Sequence, residues 1–303
     1  MRPHALVDVL DVPVVRPSRP QSSGVSGRPA WRWFLAVAVV GVGVYYLIPD
    51  GVPRDALYVG FGLAAVVGVE AGVRMNRPAR TAPWRLLGLG TLLWAVGDVL
   101  GAWASDVQGV TAFPSAADAV YLLGYGAVAV GLALLIRGRG PRRDPAAFLD
   151  SAIVTAALGL LGWVLLAHPT ITSYAAEPLA ATVAATYPFL DILLVGLLFR
   201  LVTTRGGRSR SFRLLVASMG LLAVADTLLT AMNLTAWGST SQLDFLWLLS
   251  YATCGAAALD PSMVSLTGRA RPEPVRFSRA RLVTLGLAAL VPPAVQLLRT
   301  YTW

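Results

Sequence analysis

The sequence predicts an all-α, polytopic membrane protein of about nine transmembrane helices, and three observations carry that prediction. First, 56% of the 303 residues are hydrophobic and 14% are charged, where an ordinary soluble domain has about a quarter charged. Second, nine apolar runs reach the length of a membrane span, about 17–25 residues; they lie near 31–48, 56–73, 84–105, 117–136, 147–168, 178–200, 213–235, 243–260 and 282–298. Third, the charge is confined to the gaps between runs. All 25 basic residues are Arg, and 23 of them fall in the tail and in alternate loops. The net charge of +9 and pI near 10.4 therefore read as loops obeying the positive-inside rule and not as a nucleic-acid face.

Residues 1–30, rich in Pro, Ser, Gly and Arg, read as a disordered basic cytoplasmic tail ahead of a helical transmembrane domain, 31–303. The first run, Trp31–Ile48, is followed by Pro49-Asp50-Gly51 and not by a small-residue cleavage site, so it is expected to be retained as a span. The third run carries Gly88, Gly90 and Gly97 and the fourth Gly124, Gly126 and Gly131, which lets neighbouring helices approach closely. Pro188 opens a possible kink in the sixth run, and Pro292-Pro293 should kink or break the ninth. The arginine-rich loops place the N-terminus inside the plasma membrane and, after nine spans, Trp303 outside.

One passage is written twice. Arg85-Leu86-Leu87 leads to Ala95-Val96-Gly97-Asp98, and Arg213-Leu214-Leu215 leads to Ala223-Val224-Ala225-Asp226, displaced by 128 residues. Then Asp118, Tyr121 and Tyr125 recur as Asp244, Trp247 and Tyr251, displaced by 126. The copies fill spans 3–4 and 7–8, which share one orientation, so a parallel internal repeat is expected, with units of about 84–200 and 213–303. The second unit lacks a counterpart to the sixth span. That predicts a unit that is naturally incomplete or a chain that stops short.

Carboxylates within apolar runs cost roughly 2.5 kcal/mol or more at a helix centre, so their positions are informative. Asp98 lies seven residues before the outer end of its span, roughly 10 Å deep at 1.5 Å per residue. Tyr125 reaches a similar depth on the next span, and Asp226 and Tyr251 repeat the relation, so each repeat is expected to bring a carboxyl and a phenol together within its own helix hairpin. Asp98, Tyr125, Asp191, Asp226 and Tyr251 are thus candidates for an outward-facing polar or ligand site, with structural hydrogen bonding between helices as the competing reading. Asp118, after Pro114-Ser115, and Asp244, after Ser241, are expected to cap helix starts or to stand at the pocket mouth. Glu70 and Asp150 lie near inner span ends, where snorkelling and helix-terminus charge account for them. Trp94, Trp163 and Trp247 read as packing or interface anchors.

With one cysteine, Cys254, and only His4 and His168, neither a disulfide framework nor a metal site is expected, and no cofactor is predicted. No paired His, nucleophile motif or phosphate-binding glycine loop marks an enzyme.

The strings Pro83-Trp84, Gly97-Asp98, Pro114-Ser115-Ala116-Ala117-Asp118, Tyr121-Leu122-Leu123-Gly124-Tyr125, Tyr187-Pro188-Phe189-Leu190-Asp191 and Asp260-Pro261-Ser262-Met263 resemble the amino-terminal membrane region of actinobacterial cyclic-di-GMP signalling proteins, over roughly residues 31–300. The resemblance implies a sensory input module joined to cytoplasmic cyclase and phosphodiesterase domains. No GGDEF or EAL string occurs in this chain, so that family's catalytic residues have no positions here. The expectation is a non-catalytic transmembrane sensory or regulatory module, stand-alone or truncated. Its partners would be the lipid bilayer, an unnamed small molecule or ion, and a cytoplasmic signalling protein or a second copy. The alternative is a small transporter or proton-coupled permease using the intramembrane acids, against which the parallel repeat argues.

Overall fold

The computed structural model describes residues 30–109, 112–139, 145–204, 208–235, 240–268, 286, 288 and 290–293. Every regular element among them is helical: α1 (Ala30–Tyr45), α2 (Val52–Asn76), α3 (Ala82–Ala102), α4 (Ala116–Arg139), α5 (Pro145–Gly162), α6 (His168–Ser173), α7 (Pro178–Thr203), α8 (Arg210–Thr235), α9 (Asp244–Leu259) and α10 (Val264–Thr267), with short 3-10 turns at Thr240–Leu243 and Pro261–Met263. Among the described residues, six helices are long and apolar enough to cross a membrane: Val52–Asn76, Ala82–Asp106, Ala116–Arg139, Phe148–Ser173, Pro178–Thr203 and Arg210–Thr235. They fall on the second to seventh expected runs. The first and eighth runs form the 16-residue α1 and α9. The basic tail and most of the ninth run lie outside the described residues.

Local sequence accounts for the breaks. Gly51, at φ 120°, makes the turn between α1 and α2, a backbone state that other residues rarely adopt. Pro178 opens α7 in its first turn, where a missing N–H costs nothing. Pro188 stays inside α7, which continues as one helix past it. Two π-helical turns, Trp103–Val107 after α3 and Trp163–Ala167 between α5 and α6, widen the backbone at the same end of the bundle.

The core is organised around α9. From Leu246 to Leu259 most of its residues are buried, and Ala256, Ala257 and Ala258 have no exposed surface. Small side chains let α1, α2 and α8 pack directly on it. A Cβ on Gly68 would lie 3.2 Å from the Cα of Gly255, so α2 and α9 meet backbone to backbone. In an apolar setting such close van der Waals packing and interhelical hydrogen bonds hold helices together. The bonds are present: the Ser218 hydroxyl donates to the Ser250 carbonyl and the Ser250 hydroxyl to the Ser218 carbonyl, both at 2.9 Å. Ser211 donates to the Ala257 carbonyl at 2.6 Å.

Two hairpins, α3–α4 and α8–α9, stand on either side of α2 and α7. α2 packs against α3 and α9, and α7 packs against α4 and α8. Around the outside, Val40, Leu47, Val67, Leu123, Leu165 and Leu179 expose their side chains, a surface compatible with lipid contact. Glu70 sits at the arginine-rich end with its carboxylate 2.8 Å from Arg74 and 3.5 Å from Arg85, as expected for an acid near a span end. Asp150 is buried in the first turns of α5.

Candidate functional site

At the arginine-poor end, the two hairpins, α2, α6 and α7 enclose a cavity of about 550 Å³. That is the size of a small-molecule site. Four carboxylates line it, one from each of four helices: Asp98 on α3, Asp118 on α4, Asp191 on α7 and Asp226 on α8. Six tyrosines and two tryptophans complete most of the wall, and among the described residues no arginine or histidine lines it. The sequence candidates Asp98, Tyr125, Asp191, Asp226 and Tyr251 all converge there.

Their pairing differs from the sequence expectation. Asp98 and Tyr125 were expected to meet within one hairpin, and Asp226 and Tyr251 within the other. The structure crosses them. The Tyr251 hydroxyl donates to Asp98 at 3.1 Å, and the Tyr125 hydroxyl donates to Asp226 at 2.7 Å. The partner from the same hairpin is instead the aromatic residue one turn earlier: Tyr121 donates to Asp98 at 2.8 Å, and the Trp247 indole N–H donates to Asp226 at 2.8 Å. Residues at i and i+4 project from one helix face. Tyr121 and Tyr125 therefore reach acids on two different hairpins from one stripe, as Trp247 and Tyr251 do. Trp247 is a hydrogen-bond donor to the site rather than a packing anchor, and Trp94 packs edge-on to Tyr125 with ring centres 5.4 Å apart.

Asp191 joins the same network from α7, its Oδ1 3.0 Å from the Tyr125 hydroxyl. A phenol carries one hydrogen, so Tyr125 satisfies either Asp191 or Asp226.

Asp118 combines both expected roles. Its Oδ2 accepts from the backbone N–H and hydroxyl of Ser115, at 2.7 and 3.0 Å, closing the start of α4 as a capping box does. Its Oδ1 accepts from Tyr187 on α7 at 2.7 Å, which places the carboxylate in the cavity wall.

Asp244 takes neither role. The 3-10 turn ahead of α9 makes Leu243 the residue at the cap, no side chain caps that end, and Asp244 is absent from the cavity lining. Its carboxylate accepts from the Tyr45 hydroxyl at 2.6 Å, with the Arg54 guanidinium 3.8 Å away and stacked over the Tyr45 ring. Arg54 also pairs with Asp50. Asp244 thus ties α1 and α2 to α9. Tyr45→Phe should lower the thermal stability of the protein by about 1 kcal/mol without altering the cavity; an unchanged melting midpoint would show that this tie holds nothing.

Sequence reasoning assigned no role to Thr170, Tyr174 or Asn233, which also line the cavity. They come from helix ends flanking the expected outer loops, where no periodic pattern distinguishes an inward side chain. Tyr121 and Trp247 carried a usable signal, since both occupy the same place in the repeated string. The sole cysteine, Cys254, is buried in α9 and lies outside the cavity lining.

Compared with known protein families, curated proteins and solved structures, the chain matches none.

Proposed function

We propose that the chain is a non-enzymatic, multi-pass sensory module of a membrane, in which ligand occupancy of the cavity is converted into a change in how the two hairpins meet. The crossed bonds carry this reading: each deep carboxylate is held by one aromatic from its own hairpin and one from the other. A ligand that competes for Asp98 or Asp226 releases a phenol belonging to the opposite hairpin, so binding and hairpin geometry are linked through the same atoms. The motif resemblance to cyclic-di-GMP signalling proteins supplies the signalling context, with a cytoplasmic partner or a second copy as receiver.

The proposal includes nine spans with the N-terminus in the cytoplasm and a parallel duplication. The packing supports units somewhat different from those expected from sequence. α2, α3 and α4 are matched by α7, α8 and α9, because α2 contacts its own hairpin and the far one just as α7 does. Asp191 and Asp226, both within reach of one phenol, favour a proton-coupled permease as the second reading.

Cysteine labelling tests the orientation. In a Cys254→Ser background, Ser173→Cys and Asn233→Cys at the cavity should react with an impermeant maleimide in intact cells. Arg74→Cys and Arg137→Cys should react only after lysis, and a cysteine appended to the C-terminus should react from outside. The reverse pattern at the cavity refutes an outward site. Proteoliposomes should show no proton flux above background; flux abolished by Asp98→Asn and Asp226→Asn would replace the sensory reading with the permease.

A further inference from the structure

We infer that the cavity binds a small organic ammonium cation, an inference that rests on the outward ligand site proposed above and names the chemistry it selects. Among the described residues, the wall has negative groups without positive ones. Four carboxylates face about 550 Å³ of space, and no arginine or histidine is among the described residues that line it. An anionic ligand would meet uncompensated repulsion there, and a neutral one would leave the acids without a counter-charge.

The aromatic rings decide which kind of cation. Tyr58, Tyr121, Tyr187, Tyr251, Trp94 and Trp247 surround the acids. Aromatic faces attract a diffuse, easily desolvated ammonium group, and such attraction strengthens away from water. A divalent metal requires six or more oxygens within a compact shell. Here the carboxylates belong to four separate helices, and three of them already accept two or more hydrogen bonds each. Among the described residues, no group of three acidic, His or Cys side chains is arranged to hold a metal.

An independent observation points to a missing ligand. Thr170 lines the cavity, is 7% exposed, and its hydroxyl has no hydrogen-bond partner among the described residues. Other helical threonines turn the hydroxyl back to the carbonyl four residues earlier, as Thr91, Thr182, Thr186, Thr227, Thr230 and Thr253 do. Thr170 follows the π-helical turn Trp163–Ala167 and makes no such bond. A buried hydroxyl without a partner is destabilising unless something supplies one. A ligand whose ammonium head sits among the rings and whose polar tail reaches α6 would do so.

The full chain in lipid nanodiscs provides the test, read by tryptophan fluorescence because Trp94 and Trp247 face the cavity. Choline, ethanolamine and 3,3-dimethylbutan-1-ol, the uncharged isostere of choline, are titrated separately. At least one ammonium compound should bind saturably and at least about tenfold more tightly than the alcohol, the factor expected of a desolvated cation held against aromatic faces. Asp226→Asn should weaken that binding by about tenfold or more. Thr170→Val should weaken it roughly three- to tenfold while leaving the ligand-free melting midpoint unchanged or higher, which separates lost binding from lost folding. Glu70→Gln, at the opposite end, should bind as the parent does. Equal binding of the alcohol overturns the cation inference and leaves the ligand site standing. Failure of every ammonium compound to bind the folded protein overturns it as well, and the labelling experiment then decides separately whether the cavity opens outward.

Discussion

Gly72→Ala is expected to force α2 away from α9 and to be among the most damaging single-methyl changes in the chain. A Cβ at position 72 would collide with the carbonyl of Ala258 and come within 3.0 Å of the Leu259 nitrogen. Both obstacles are backbone, so no side chain can rotate away. Overpacking of this kind costs about 1–3 kcal/mol and occasionally more. The damage should spread along the seam, because Gly68 and Gly255 depend on the same close approach and the Asn76 amide donates to the Ala258 carbonyl at 3.1 Å. Thermal melting followed by size-exclusion chromatography in detergent reads the effect. Gly126→Ala is the control: it lies in α4 with nothing within 4 Å of the added carbon and should be neutral or slightly stabilising, since alanine is favoured over glycine in a helix by about 1 kcal/mol. Equal midpoints for the two variants would mean that α2 and α9 do not meet as described.

Tyr125→Phe should have the second large effect, and it also tests the crossed pairing. The 5%-exposed phenol is replaced by an isosteric ring, so packing is preserved while Asp191 and Asp226 lose a donor. A buried acceptor left short of its partner costs about 1–3 kcal/mol, more when charged. A double-mutant cycle places that cost. Tyr125→Phe combined with Asp226→Asn should be strongly non-additive, with a coupling of about 0.5–3 kcal/mol. The cycle with Asp98→Asn should give a smaller value. The opposite order would restore pairing within each hairpin and remove the basis for linking ligand occupancy to hairpin geometry.

The helical class and the positions of the helices were legible because apolar run length is a direct consequence of bilayer thickness. The shared height of the acids and phenols along their helices was legible too, since a constant rise per residue converts sequence distance into height, and all five principal candidates meet in one cavity. Azimuth was not legible. A sequence gives the phase of a helix but not which neighbour its face meets, so Tyr125 was matched with Asp98 of its own hairpin when its partner Asp226 lies 101 residues away. Asp244 was misread for a related reason. Its spacing from Ser241 suits a cap, but a 3-10 turn moves the helix start to Leu243 and sends the carboxylate to Tyr45, 199 residues upstream. The orphan hydroxyl of Thr170 depends on a π-helical turn that apolar composition does not reveal.

The crossed bonds also set a timetable for biosynthesis. All four cavity acids belong to helices that precede α9, yet two of their donors, Trp247 and Tyr251, belong to α9 itself. Asp98 is translated 153 residues before Tyr251, an interval of roughly 8–30 s at synthesis rates of about 5–20 residues per second. Throughout that time the nascent chain holds carboxylates in apolar surroundings with part of their hydrogen bonding unfilled. The hydrogen bonding of these acids is therefore completed only once α9 has emerged, which makes this buried helix the one that closes the polar network of the cavity.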